Sequence, residues 1–384
     1  LVSIHLIKHL FNTKPTGLLA VPERILIVRL SAVGDTILSL PILCALRRQF
    51  PDSKIAWVVG AGASELLRGH EDLDELFVLS KQSLASAKAY SQFLATIRSW
   101  KPDTVIDAQG LTKSAWIARC SGATRRIGLR RSEFEGRELS TWLNNILVAP
   151  KHQHVVLRGL ELLEPLGIQA PRVEYKVPRD PSVAARVENQ LRSSGALDAC
   201  EDWGIINVGA GWPSKIWPTE RYACVAKHLG ERWSLRTWVA WGGDQEHRIA
   251  QEVVEGSSGW AKMMPATQLA ELAEWIRHAK LFVGSDTGPM HLSVAVGTPT
   301  VALIGPMPSE RVGPLGSEHV TVQRERLTLK QRANRKSDMR PMLSIQVDDV
   351  IQGCDAIIQS FRERGTNCGQ RDLMLPCESP TTWR

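Results

Sequence analysis

The chain has 384 residues, 43% of them hydrophobic and 23% charged, with seven cysteines and a formal net charge of +7 at neutral pH. This composition excludes a collagen-like, disordered or disulfide-stapled chain, and the length suits two domains of ordinary size. No apolar run reaches the roughly 18 residues that a membrane-spanning helix needs.

The charge is uneven. Residues 1–176 hold 23 Lys/Arg against 16 Asp/Glu, whereas the remainder is balanced at 24 of each. The excess in the first half suits a surface facing phosphates or an anionic membrane, or simply a solvated basic face. The cysteines form no Cys-x-x-Cys pair, so reduced thiols in a cytoplasmic protein are expected, not a disulfide framework or a zinc site.

In chain order, residues 1–23 read as an extension. Leu1 to Phe11 is apolar with His5, Lys8 and His9 interspersed, too short for a signal peptide and compatible with a weak interfacial helix or a loosely docked terminus. Arg24 to Leu30 is a β-rich run, and Ser31 to Pro41 turns into a helix ending near Phe50. Strands are predicted at Lys54–Val59, Glu75–Leu79 and Thr104–Ala108. Helices are predicted at Ala63–Arg68, Ser83–Trp100 and Leu111–Cys120.

Arg125 to Asn145 is basic and lacks a regular pattern. A helix at His152–Leu166 leads to a connector, Gly167 to Arg172, and the alternation restarts. Helices are expected at Pro181–Ser194, Thr219–Trp233, Asp244–Glu255 and Gln268–His278, with strands at Gly204–Val208 and Arg236–Trp241. Leu281 to Gly305 then reads as strand, turn, helix, strand. Two successive α/β domains with parallel sheets follow, over 24–176 and 177–346, with a helix at 347–364 and a mobile tail at 365–384. Ligands of such sheets sit at the carboxyl ends of the strands, here in the cleft between the domains.

Four loops after predicted strands carry candidate chemistry. In Ser31-Ala-Val-Gly34-Asp35-Thr36, Gly34 permits close backbone approach, and Asp35 is either a general base or a helix cap. Gly209 and Gly211 give the second loop the same freedom, with Ser214 beside them. Lys215 there is either a phosphate countercharge or a surface lysine. The third, Gly242-Gly-Asp244-Gln-Glu246, offers carboxylates for a ribose diol or for capping a helix. In the fourth, Ser285, Asp286, Thr287, Gly288 and His291 converge on a helix start with Pro289 in its first turn, either an anion site with His291 on a phosphate or an ordinary strand–helix turn with His291 a partly buried helix residue.

Other signals are incomplete. Gly60-Ala-Gly62-Ala-Ser-Glu65 starts like a dinucleotide fingerprint, but Glu65 replaces the third glycine. His152-Gln-His154 and the His5/His9 pair lack the company of metal ligands, and solvent-facing or helix-surface roles are expected. The basic segment Lys113–Arg137 suits an anionic acceptor or a solvated basic face, and its aromatic residues are not interleaved in the way nucleic-acid stacking needs, so nucleic-acid binding is not expected.

Together, Ile25-Leu-Ile-Val-Arg-Leu-Ser-Ala-Val-Gly-Asp-Thr-Ile-Leu-Ser-Leu-Pro41 and Asp286-Thr-Gly-Pro-Met-His-Leu-Ser-Val-Ala-Val-Gly-Thr-Pro-Thr-Val-Ala-Leu-Ile-Gly-Pro306 resemble the lipopolysaccharide heptosyltransferases, glycosyltransferase family 9. The resemblance implies a GT-B fold of two Rossmann-like domains and inverting, metal-independent transfer of heptose from ADP-heptose. The acceptor it implies is a lipid-linked, phosphorylated core glycan at the inner face of the inner membrane. No cofactor beyond the ADP-sugar donor is implied.

Carried over by position, Asp35 matches the family's base and Lys215 the lysine that stabilises the departing diphosphate. Glu246 corresponds to the acid that holds the ribose. Asp286 would meet the heptose, and Thr287, Gly288 and His291 the phosphates. Arg125, Arg126 and Arg137 lie where acceptor contacts are expected. The stretch Leu327–Arg340 and the tail match nothing in that pattern. Competing readings are a catalytically silent glycan-binding protein of the same fold, a transferase using another nucleotide sugar, and a nicotinamide-dependent oxidoreductase.

Overall fold

The computed structural model describes residues 21–131, 139–194, 202–328 and 331–366. The extension up to residue 20 and the tail after residue 366 lie outside them. The first domain runs β1 (Arg24–Val28), α1 (Val33–Ile37), α2 (Leu40–Gln49), β2 (Lys54–Gly60), β3 (Glu75–Leu79), α3 (Ala87–Ser99), β4 (Thr104–Asp107), α4 (Thr112–Cys120), β5 (Arg125–Leu129), α5 (Ser140–Leu143), β6 (Ile146–Val148) and α6 (Val155–Glu161).

The second domain runs α7 (Pro181–Ser193), β7 (Trp203–Asn207), α8 (Thr219–Trp233), β8 (Arg236–Ala240), α9 (Asp244–Gly256), β9 (Ala261–Met263), α10 (Leu269–His278), β10 (Leu281–Ser285), α11 (Gly288–Ala295), β11 (Thr300–Leu303), α12 (Ser309–Val312), β12 (Val320–Val322), α13 (Arg340–Ser344) and α14 (Val347–Thr366).

Each domain holds one six-stranded parallel sheet, in the orders β3-β2-β1-β4-β5-β6 and β12-β11-β10-β7-β8-β9. The central strands are apolar on both faces because helices cover both. Thus Ile25, Leu26, Ile27 and Val28 of β1 are all fully buried, as are Trp57 and Val58 of β2 beside them. In both sheets the order reverses beside the first strand of the domain, at β1/β4 and β7/β10, which opens a crevice there at the carboxyl ends.

The helix expected over 31–50 is two. Pro41 has no N–H for the carbonyl four residues back, so the backbone turns at Leu38–Ser39 and α2 restarts with Pro41 in its first turn. Ser39 Oγ meanwhile donates to the Asp35 carbonyl (2.8 Å). The supposedly irregular 125–145 segment contains β5, which begins with two arginines, and the short α5. Strands β6, β9 and β12 are three residues each, too short for a period to register in sequence. Helix α14 packs Val350, Cys354 and Ile357 into the core of the second domain.

The connector is fastened to both domains. Arg48 pairs with Glu174, and Lys176 Nζ lies 2.8 Å from Glu71 and 3.2 Å from Asp72, all on the first domain. From the second, Arg277 donates to the carbonyls of Val177 (2.8 Å) and Pro178 (3.3 Å), while Arg179 pairs with the buried Glu274 (3.1 Å).

Candidate active site

Asp35 is the third residue of α1, not its cap. Its Oδ2 accepts from the Ala32 N–H (3.2 Å), and its Oδ1 meets the Arg29 guanidinium at 2.8 Å. Arg29 is buried at the carboxyl end of β1 and also donates to the Ala108 carbonyl (2.5 Å), which fixes it from below. The Asp35 side chain is 43% exposed, so a carboxylate in a set orientation still faces open space. The sequence carried a signal for Arg29: a charged residue at the end of an otherwise apolar central strand needs a reason to be there.

On the other domain, Lys215 sits on a tight turn, Pro213–Lys215. Its Nζ donates to Asp286 Oδ2 (2.6 Å) and to the Asp286 carbonyl (2.8 Å), 71 residues along the chain. It also lies over the Trp212 ring, 4.7 Å from the centroid. Asp286 is itself buried, and His291 Nε2 donates to its other oxygen at 3.1 Å. Burial alone would push this carboxyl up, but the Lys215 charge and the His291 hydrogen bond outweigh it and hold it well below the usual carboxylate range. The three side chains form one buried, charge-matched unit at the mouth of β10.

Helix α11 follows directly. Thr287 occupies its cap position, but its hydroxyl donates to the Ser285 carbonyl (3.1 Å) and makes no capping bond. The first turn of α11, with Gly288 and Pro289, is therefore left without a side-chain cap, and its dipole points at the cleft.

The two halves touch. A Cβ on Gly34 would come within 2.8 Å of His291 Cδ2, and one on Gly288 within 3.1 Å of Val33. Only glycines let α1 approach α11 this closely. The Asp35 turn and the Lys215–Asp286–His291 unit thus face a common cleft. Glu65 Oε1, accepting from the Ala270 N–H (3.0 Å), ties the domains further along. So does His154 Nε2, which donates to the Gly313 carbonyl (2.8 Å). Glu65 therefore bridges the domains where a dinucleotide fingerprint would need glycine.

Glu246 is the third residue of α9. The cap is Gly243, not Asp244, which is the exposed first residue. The Glu246 carboxylate accepts from the Gly242 N–H (2.7 Å) and lies over Gly209, where a Cβ would sit only 2.2 Å from it. Burial pushes the Glu246 carboxyl up, against the lowering effect of the Gly242 bond. Gly211 has no protein atom near its Cβ position. Its freedom leaves space and serves no internal packing.

Several positions differ from expectation. Ser214 is fully buried, and its hydroxyl donates away from the cleft to the Arg335 carbonyl (2.6 Å). It anchors the basic 327–340 stretch, so that Arg335 and Lys336 also lie over the Trp212 ring, at 5.7 and 5.4 Å. Arg125 and Arg126 open β5 and so sit at the amino ends of the strands, opposite the cleft. Arg125 pairs with Asp103 (2.5 Å), and Arg126 donates to the carbonyls of Leu143 (3.0 Å) and Ala123 (2.7 Å), so neither is placed for an acceptor. Arg130 and Arg131, just past the other end of β5, are exposed on the cleft side. Arg137 lies outside the described residues.

The histidines of 152–154 are not merely solvent-facing. His152 Nδ1 lies 2.6 Å from the buried Glu161, and His154 is buried at the start of α6, where burial lowers its basicity. Among the described residues, Cys44, His70 and Asp72 bring their potential ligand atoms within 4.8 Å of one another, a grouping the sequence did not suggest. Lys176 already supplies a cation to Asp72, and burial pushes the Cys44 thiol far up. None of the described helices is long and apolar enough to cross a membrane.

The profile of glycosyltransferase family 9 (heptosyltransferase) matches residues 91–341, more than half of the chain. Lipopolysaccharide heptosyltransferase 1 of Pseudomonas aeruginosa is 29% identical over 306 residues, covering 77% of this chain and 82% of its own. A family 9 glycosyltransferase from Veillonella parvula superposes with a TM-score of 0.77 at 24% identity, over 88% of this chain and 98% of its own. E. coli heptosyltransferase WaaC, solved with ADP-2-deoxy-2-fluoro heptose, gives 0.66 at 22% identity, over 89% and 99%. These neighbours share the GT-B architecture seen in the two facing parallel sheets. On its profile match and its fold, the chain belongs to glycosyltransferase family 9, the heptosyltransferases.

Proposed function

We propose that this enzyme moves a heptose from ADP-heptose to a lipopolysaccharide inner-core acceptor by single displacement, with inversion and without a metal ion. The observation that carries the reading is the glycine-lined contact of α1 with α11, which sets the Asp35 carboxylate opposite the Lys215 and α11 charges. The likeness to lipopolysaccharide heptosyltransferase 1 of Pseudomonas aeruginosa, and to WaaC solved with ADP-2-deoxy-2-fluoro heptose, supports the donor and acceptor classes.

In the reaction, Asp35 takes the proton of the acceptor hydroxyl as its oxygen bonds to the anomeric carbon. The bond from that carbon to the diphosphate breaks on the opposite face, and ADP leaves with the electron pair. Lys215, released in part from Asp286, and the uncapped start of α11 with Thr287 and Gly288 meet the growing negative charge. Asp286 and His291 hold Lys215 in place and border the sugar. Glu246, over Gly209, accepts from the ribose hydroxyls, and Gly211 leaves room for the nucleotide. The acceptor is an anionic glycolipid, so the enzyme works peripherally at the inner face of the inner membrane.

Two measurements test this reading. ADP should stabilise the protein, by about 2.7 kcal/mol at a hundredfold excess over Kd, and more than UDP or GDP in a thermal-shift series. A preference for UDP would sink the donor assignment, and saturable ADP binding without transfer to any core acceptor would favour a silent binding protein. Secondly, Gly34→Ala should force α1 away from His291 and lower kcat about a hundredfold, as expected of a displacement on the order of 1 Å at the reacting groups. The melting temperature should barely move, and an unchanged kcat would mean that the α1–α11 contact does not set the catalytic geometry.

A further inference from the structure

Among the described residues, the first domain presents an exposed apolar surface beside the cleft. Trp142 is 82% exposed, Leu139 58% and Trp116 47%. They belong together: α4 and α5 pack side by side, and the Leu139 N–H donates to Thr112 Oγ1 (3.3 Å) at the first residue of α4. Because α4 starts just after the carboxyl end of β4, this pins Leu139 to the cleft rim. Large apolar side chains left in water at such exposures mark a contact surface.

The charges around the patch say what it contacts. Lys113 and Arg119 are exposed three residues either side of Trp116, and therefore flank it on the outer side of α4. Arg130 and Arg131 are exposed at the adjoining end of β5. Residues 112–145 contain seven Lys/Arg against three Glu, and Lys113, Arg119, Arg130 and Arg131 are the exposed cations beside the patch. A second copy of the chain would bring this positive field against itself. An anionic lipid surface instead complements it, and indole rings suit the headgroup layer, where an apolar ring and a polar N–H are both satisfied.

We propose that the α4–α5 face, with Trp116, Leu139 and Trp142 inserted among headgroups and Lys113, Arg119, Arg130 and Arg131 over the anionic lipids, is the surface by which this enzyme docks on the membrane. The proposal deepens the functional reading above and rests on it for its purpose. Docked on this face, the cleft rim lies against the bilayer, and a lipid-anchored acceptor reaches Asp35 without leaving it.

Co-sedimentation of the full chain with vesicles tests this, using phosphatidylcholine alone or mixed equally with phosphatidylglycerol. The wild type should partition onto the mixed vesicles, less so as salt rises, and hardly onto the neutral ones. The double variant Leu139→Ser/Trp142→Ser should bind roughly tenfold more weakly, given the apolar area removed. It should keep the wild-type circular dichroism and the wild-type rate on a soluble, delipidated acceptor. Lys113→Glu/Arg119→Glu should lose binding to the same degree. Absence of wild-type binding to mixed vesicles overturns the proposal, as does equal binding by the variants. A concentration-dependent dimer that the Leu139/Trp142 variant loses also overturns it, since the face would then join two copies. Vesicle binding as described with no transfer to any acceptor would sink the proposed function and leave the docking surface standing.

Discussion

Asp35→Asn is expected to lower kcat by a factor on the order of 10² to 10⁴, the usual contribution of a positioned base, while ADP binding stays near the wild-type value. The amide keeps the shape of the carboxylate and can still accept from the Ala32 N–H, so α1 should remain intact. What it loses is the charge and basicity needed to take the acceptor proton, together with the ion pair with Arg29. Because the Asp35 side chain is 43% exposed, that ion pair adds little to folding, and the melting temperature should move by only a degree or two's worth of stability, under about 1 kcal/mol. Initial rates at saturating donor and acceptor, with ADP titrations alongside, decide the matter. Transfer by the variant within tenfold of wild type would remove Asp35 from the role of base.

The second large effect concerns folding as much as catalysis. Lys215→Ala strips the cation from a buried carboxylate, and breaking a buried pair in this way costs about 3–5 kcal/mol. The effect should depend on pH. In the wild type the Asp286 carboxyl is depressed, so its contribution is present above the unfolded-state value of about 3.9 and is lost as pH falls below it. Without Lys215, burial dominates and raises the carboxyl. The variant then loses stability as pH rises through that value. The stability gap between the two proteins should therefore widen from pH 4 to pH 7.5 in urea titrations. Lys215→Met/Asp286→Leu should recover much of the loss without restoring transfer. A gap independent of pH would mean that Asp286 is not the group left uncompensated.

Much of this architecture is legible in the sequence, because central parallel strands such as β1, β2 and β10 are unbroken apolar runs between helical stretches. The motif turns were legible for the same reason: Gly34-Asp35 and Asp286-Thr-Gly-Pro stand where such runs end. What sequence does not show is which end of a strand a residue occupies when the strand itself is hard to see. The family resemblance implies acceptor contacts for Arg125 and Arg126, but they open β5, a strand that its two arginines disguise in the sequence, and so lie at the far end of the sheet. Ser214, expected beside the donor, turns its hydroxyl to the Arg335 carbonyl, a backbone partner that leaves no trace in side-chain pattern. Pairs remote in sequence, such as Lys215 with Asp286 and Glu65 with the Ala270 N–H, emerge only once the domains are set face to face.

The fastening of the connector has a mechanical consequence. The polar ties of Glu174 and Lys176 run to the first domain and those of Val177, Pro178 and Arg179 to the second, so the two fastened stretches meet at the 176–177 peptide link, while Tyr175 and Val177 pack against the cores of both. Lys176 itself has a φ of +42°, a conformation that glycine adopts more readily. Any parting of the two domains would have to separate the α1–α11, Glu65–Ala270 and His154–Gly313 contacts while this link turns. The link would then act as a fulcrum, at which a small rotation of two dihedral angles becomes a larger travel at the lips of the cleft.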